Sequence, residues 1–331
     1  MMIRSRELRL CLYAVSLYAV FIIWGYQQEK IAFTPYSTLG SDSSKLKWSY
    51  PVALNLGMAA ASYGTAVVVE IIEGIPRKVP FLLFWKPALS SALASPIGYE
   101  SLKYIHYPLM ILTKSSKPVP VMIFGILFYR KVYKWYKYIS VLLLCVGIAM
   151  FTSNKKPSEE NNDIKQIGTV LFGMLLVVIN LSMDGYTSNE QDFIFSHHGA
   201  TSTQMMKYTN CWQCIYQIIY LGGGYIFQSS GGEAAEAYHM VMHCPLLKYD
   251  ILLFCVCASI GQVILFNLMK EFGSLVCVTI GVTRKLLTIL ISVFMFNHHV
   301  SATQWFGVGL VFTGLLLDIT MNYAQLNRKD D

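Results

Sequence analysis

Lys114 and Lys117 stand three residues apart in an otherwise apolar stretch, 105–129, and Pro118 and Pro120 follow at once. Residues at i and i+3 of a helix share a face, so the two ammonium groups are expected on one side. Arg284 and Lys285 are adjacent in a second apolar stretch, 274–296. A guanidinium grips phosphate with a planar two-donor fork, and an ammonium adds a mobile point charge. Phosphate-bearing anions are therefore the ligands that these four side chains suit. The prolines donate no N–H and clash with the preceding turn, so carbonyls around Lys114 and Ser116 lose their helical partners. Such a break is expected to face protein or a wet cavity, not lipid.

Both lysines fall near the middle of 106–129, where a cation inside a membrane costs at least about 2.5 kcal/mol. Two arrangements offset that cost. One is a bound anion. The other is internal pairing with the acids Glu70, Glu100, Asp184 or Glu271, most of which lie near the ends of their own apolar stretches. Full neutralisation by those acids is not expected, and the anion site is the reading adopted.

The rest of the chain must place these cations. Of 331 residues, 54% are hydrophobic and only 14% charged, against roughly 25% charged in a soluble domain. The apolar residues come in blocks of the length that spans a hydrocarbon core of roughly 30 Å as helix. The blocks lie at 9–28, 50–70, 81–102, 105–129, 137–153, 165–186, 204–227, 249–270, 274–296 and 303–325, which predicts an all-α polytopic membrane protein of ten transmembrane helices. Arg4, Arg6 and Arg9 precede the apolar run 10–26 as they would in a secretory signal, but without a small-residue cleavage site the run is expected to be retained as a span.

An even number of spans puts both termini on one side. Arg4, Arg6, Arg9, Arg77, Lys78, Arg130, Lys131, Lys134, Lys137, Lys270, Arg328 and Lys329 fall on that side, so it is expected to be cytosolic. The polar connection 154–164 separates a first half, 1–153, from a second, 165–331. Each half has an odd number of spans, so halves that share a fold form an inverted repeat. The fourth and ninth spans then hold equivalent places, and each brings two cations to mid-membrane.

Other polar residues are less specific. Glu29 closes the first span as a gate or counter-charge, or as an ordinary interfacial helix end. Tyr208 and Asn210 suit stacking on and hydrogen bonding to a base, although membrane tyrosines commonly serve as interfacial anchors. His197/His198 and His298/His299 lack Cys or acid partners at metal spacing, so no metal site is expected. Cys211 and Cys214 form a Cys-x-x-Cys without a thioredoxin-like setting and are read as helix packing. No nucleophile accompanies a base, so no enzyme and no cofactor are expected. The basic residues form no compact domain, which argues against a nucleic acid polymer as partner.

The stretches GYQQEK at 25–30, YPLMILTKSSKPVPVM at 107–122, MDGYTSNEQD at 183–192, GQVILF at 261–266, FGSLV at 272–276, TRKLLTIL at 283–290 and QWFG at 304–307 carry a resemblance that covers essentially the whole chain. They resemble the nucleotide-sugar transporters of solute carrier family 35, subfamily B, in the drug/metabolite transporter superfamily. The nearest group is that of the endoplasmic-reticulum UDP-galactose transporter-related proteins and ATP/ADP exchangers. The resemblance implies the drug/metabolite transporter fold of two inverted five-helix repeats, alternating access, and exchange of a cytosolic nucleotide species for a lumenal one.

It also implies that the binding motif falls on Lys114, Lys117, Arg284 and Lys285. Tyr208 and Asn210 fall where some members carry a nucleotide-contacting Phe-Tyr-Asn-Asn, of which this chain keeps two residues, with Lys207 and Thr209 in the other places. Thr283, Arg284 and Lys285 depart from the sulfonucleotide carriers of the subfamily. The C-terminal RKDD, 328–331, resembles a dilysine retrieval signal with Arg in one lysine position. This implies coat-protein retrieval and residence in the endoplasmic reticulum membrane, with the Golgi as the other location. Two cargoes stay open, a UDP-sugar (UDP-galactose or UDP-glucose) and the more highly charged ATP/ADP pair. A non-transporting membrane scaffold is the third reading, and it leaves the central cations unexplained.

Overall fold

Inside hydrocarbon every backbone N–H and C=O must be satisfied within the protein, which favours helices wherever the chain is apolar. The computed structural model describes residues 2–37, 45–74, 79–101, 104, 116–153, 164–227, 232–281, 283–284 and 301–327. In chain order these form α1 (Met2–Phe33), a two-stranded antiparallel ribbon of β1 (Tyr36–Ser37) and β2 (Lys45–Leu46), and α2 (Pro51–Glu73). A 3-10 turn, Phe81–Phe84, runs into α3 (Trp85–Ser101). There follow α4 (Pro118–Leu127), α5 (Trp135–Ser153), α6 (Ile164–His198), α7 (Ser202–Phe227), α8 (Gly232–His243) and α9 (Pro245–Phe272), a helical stretch at 274–281, and α10 (Ala302–Asn327).

Among the described residues, four helices are long and apolar enough to cross a bilayer: Leu8–Gln28, Pro51–Glu73, Leu171–His198 and Pro245–Phe272. Residues 105–115 of the fourth expected span and 285–296 of the ninth lie outside the described residues.

Three features differ from the apolar blocks. Helix α6 continues to His198 although its apolar run stops near 186. Thr187, Ser188 and Asn189 donate to the carbonyls of Met183, Asp184 and Gly185 four residues back, at 2.9, 2.9 and 3.0 Å, so polar side chains are satisfied without leaving the helix. It ends only where Gly199 takes a φ of 61°, the left-handed conformation that closes helices. The short helix α8 and the β ribbon fall between blocks, where hydropathy carries no signal.

By contacts the chain divides into two units. Unit 1 comprises Met1–Pro96 and Glu190–Cys277, and unit 2 comprises Ile97–Asn189 and Val278–Asp331. Each draws on residues from both sides of 154–164, so these units and the two sequence halves are different partitions of the chain.

In unit 1, α1 packs on α9, and α2 packs on both α7 and α9. Small residues allow close approach, as is usual for membrane helices. A Cβ on Gly261 would stand 3.1 Å from the Phe21 ring, and the hydroxyls of Ser62 and Ser259 meet at 3.3 Å. Helix α8 helps to close one end, where Ile31, Tyr36, Trp48, Leu54, Met240, Leu247 and Phe254 are buried together. Glu233 of α8 accepts hydrogen bonds from the N–H groups of Val52 and Ala53 at 2.8 and 3.1 Å, satisfying donors that the first turn of α2 leaves open.

In unit 2, α5 packs along α10. The contact is backbone-close: Ser140 Oγ donates to the Gly314 carbonyl at 2.9 Å, and a Cβ on Gly147 would lie 2.5 Å from the Gly307 oxygen. In both units large apolar side chains remain on the outside, such as Ile72, Leu252, Leu142 and Leu171. A bilayer, not water, suits such faces.

Candidate functional site

Pro118 occupies the first position of α4, where its missing N–H costs nothing, and Lys117 is the capping residue. Ser116 and Lys117 form a turn and the helix starts behind them; the Ser116 carbonyl, expected to lose its partner to Pro120, accepts instead from the N–H of Val119 at 2.9 Å, and the chain before Ser116 lies outside the described residues. The N-terminal end of a helix carries partial positive charge, and Lys117 adds a full one. Both favour an anion at this end.

Lys117 Nζ lies 3.4 Å from Asp184 Oδ2 of α6, with the two side chains 32% and 37% exposed. Glycine at 185 makes this approach feasible, because a Cβ there would stand 3.1 Å from the Pro120 carbonyl carbon. One turn further along α6, Asn189 Nδ2 donates to the Val121 carbonyl at 2.8 Å, and Lys131 Nζ donates to Asn189 Oδ1 at 3.1 Å. Helix α4 is thus fixed to α6 in the turn that follows Asp184. Arg284 is half-buried in the same unit, beside buried Thr283, whose hydroxyl donates to the Ile280 carbonyl at 3.0 Å.

The acids expected to leave the cations free do pair in part. Lys117 has Asp184. Glu70 is taken by Lys207 and Glu271 by Arg9, the latter at 3.3 Å. Position along an apolar block was a poor guide to these contacts, since Asp184 sits inside a helix that outlasts its block. Lys114, Lys285 and the side chain of Glu29 lie outside the described residues.

Unit 1 holds the other sequence-derived candidates. Tyr208 is buried on α7, with its ring 5.6 Å from that of Phe81 and 5.1 Å from that of Phe84. Asn210 is also buried and donates through Nδ2 to Gln262 Oε1 and to the Met206 carbonyl, both at 2.7 Å. Its Oδ1 has no hydrogen-bond partner among the described residues. A cavity of about 520 Å3 is lined by Tyr63, Val79, Pro80, Phe81, Lys207, Tyr208 and Cys211. Tyr208 therefore faces a cavity of the size and aromatic character that takes a small ligand, while Asn210 belongs to an internal hydrogen-bonded contact.

Sequence reasoning missed Lys207 as a cavity residue. Its signal was its place next to Tyr208, where the resemblance led to an expectation of Phe. Among the described residues no group of three or more His, Cys, Asp and Glu side chains is arranged to hold a metal ion.

Comparison with known proteins agrees with this architecture. A UDP-galactose transporter homolog 1 from Aspergillus fumigatus is 34% identical over 98% of this chain and 87% of its own length. Solute carrier family 35 member B1 from Xenopus tropicalis is 31% identical over 97% and 95%, and its counterpart from Dictyostelium discoideum is 30% identical over 94% and 76%. A protein crystal structure only 10% identical in sequence superposes with a TM-score of 0.55 over 92% of this chain and 97% of its own, a likeness of fold. The profile of the UAA transporter family matches residues 11–322, and the chain belongs to that family.

Proposed function

We propose that this chain is an antiporter of the endoplasmic reticulum membrane that moves a nucleotide sugar, UDP-galactose or UDP-glucose, into the lumen in exchange for a nucleotide. The observation that carries the reading is Lys117, a partly exposed ammonium group at the start of a proline-initiated helix. Discontinuous helices whose positive ends meet anionic groups are a recurring device of transporter sites. The relatives from Aspergillus fumigatus and other fungi, named as UDP-galactose transporter homologs, favour UDP-galactose. Phosphates are assigned to Lys114, Lys117, Arg284 and Lys285, base recognition to Tyr208 and Asn210, and a gating role to Glu29.

The proposed architecture is ten helices in two inverted repeats, 1–153 and 165–331, working by alternating access. Two packings support it: α2 on α7 and α5 on α10 join spans that hold equivalent places in the two halves. Both termini are assigned to the cytosol, with Arg328 and Lys329 as a coat-protein retrieval signal and the Golgi as the alternative location.

The test is counterflow of labelled UDP-galactose in proteoliposomes. Lys117→Ala or Arg284→Ala should abolish it at unchanged expression, and wild-type uptake in both would sink the phosphate assignment. ATP/ADP exchange is the second reading. It is favoured by the number of basic residues at Lys114, Lys117, Arg284 and Lys285, which suits a more highly charged cargo. A thermal-shift panel of UDP-galactose, UDP-glucose, UMP, ATP, ADP and 3′-phosphoadenylyl sulfate separates the two. Stabilisation by none of them would favour a scaffold.

A further inference from the structure

We propose that Asp184 is the resident counter-ion of the phosphate site: it holds Lys117 while the site is empty and yields it to arriving phosphate, so that it sets both cargo affinity and the coupling of exchange. The inference rests on the reading of Lys117 as a phosphate ligand.

The four described ion pairs differ in kind. Lys30 and Asp250 meet at 2.7 Å with the carboxylate only 10% exposed, and its other oxygen is taken by Tyr36, so that pair is structural. Lys207 and Glu70 are each only 14% exposed, which marks a structural contact. Arg9, at 58%, pairs with Glu271 at a helix end and is solvated. Lys117 and Asp184 are intermediate, each about a third exposed, at 3.4 Å, beside the proline break. The pair is thus reachable by solute without being a surface bridge.

Its two members are also unequal in freedom. Asp184 is held by the backbone around it: Gly185 abuts Pro120, and Asn189 ties α6 to the Val121 carbonyl. Lys117 reaches it through a long flexible stem. The lysine is therefore the partner that turns from carboxylate to phosphate.

Two consequences follow from charge. A bare ammonium within the membrane is unfavourable, and Asp184 offsets it in the empty carrier, easing return without cargo. With cargo present, the carboxylate and the phosphate oxygens compete for one ammonium and repel each other, so Asp184 weakens binding and speeds release. Removing its charge should tighten binding while hindering the empty carrier.

The experiment uses the full chain in proteoliposomes, with labelled UDP-galactose and labelled ADP as separate probes. Asp184→Asn and Asp184→Ser are made in parallel, so that misfolding of one leaves the other to decide. For whichever probe is carried, KM should fall about tenfold, the scale of one charged hydrogen bond, and the ratio of exchange to net uptake into empty vesicles should rise. Asp184→Glu, which keeps the charge, should recover most of the wild-type KM. In a Lys117→Gln background, equilibrium binding should be weak and insensitive to Asp184→Asn, the non-additivity of a coupled pair. An unchanged or higher KM in the folded neutral variants, with Lys117→Ala inactive, overturns the counter-ion role and leaves the phosphate site standing. Full exchange by Lys117→Ala overturns both.

Discussion

Lys30 Nζ donates to Asp250 Oδ1 at 2.7 Å, which ties the last turn of α1 to the first turns of α9. Tyr36 of the β ribbon donates to the other oxygen, Oδ2, at 2.9 Å. Asp250 is 7% exposed, so a buried carboxylate here has both oxygens engaged, one by a cation. Asp250→Ala would strand a partly buried ammonium and a buried hydroxyl. Breaking a fully buried pair costs several kcal/mol, and the partial exposure of Lys30 brings the expectation down to about 2 kcal/mol. Detergent-solubilised Asp250→Ala should melt several degrees below wild type, with Asp250→Asn in between because it keeps one acceptor.

The same cluster gives a pH dependence. Burial, then the hydrogen bond and the charge of Asp250, push the Tyr36 phenol above its ordinary pKa, which is about 10 in an unfolded chain. With the folded pKa raised, the protonated phenol contributes fully below about pH 10, and that contribution is lost as pH rises beyond it. Melting temperature should hold steady through neutral pH and fall in strong alkali. Tyr36→Phe should reduce the alkaline slope. A phenolate absorbance titration should show one fewer late-titrating tyrosine in the variant.

The α5–α10 contact predicts a steric cost. A Cβ on Gly147 would meet the Gly307 oxygen at 2.5 Å, Val311 Cγ2 at 2.8 Å and Val311 N at 3.1 Å. Two of these atoms are backbone and have no rotamer in which to retreat. Gly147→Val should cost at least the roughly 1–3 kcal/mol of overpacking, seen as loss of the monodisperse peak on size-exclusion chromatography. Gly168→Val is the control, since nothing among the described residues lies within 4 Å of a Cβ there.

What could be read from the sequence divides along the range of the interactions. The start of α4 at Pro118 was legible because proline acts on its own turn. The end of α6 at His198 was not, because hydropathy measures the thickness of the apolar layer while the helix stops at the first left-handed glycine, Gly199. Lys117 was legible as a costly cation, but its distance to Asp184 depends on how two helices pack. That packing is set by Gly185 and Asn189, residues that carry no charge signal. Tyr208 and Asn210 are two residues apart, a spacing that turns them to different faces of a helix: one lines the cavity and the other bonds Gln262. Nearness in sequence alone does not make them one pair.

Lys207 and Glu70 give the last prediction. Each side chain is only 14% exposed, and they form a direct ion pair at the cavity lined by Tyr208. Removing either partner leaves the other charge largely buried and unpaired, at a cost of about 3–5 kcal/mol. Lys207→Ala and Glu70→Ala should each lower the melting temperature sharply. The double variant should be more stable than the sum of the two losses allows, because neither charge is then stranded. Its transport separates structure from recognition: if the double variant folds and keeps the wild-type KM, the pair serves only to hold α2 against α7. A raised KM with kcat preserved would instead place Lys207 beside Tyr208 as a residue that the cargo touches.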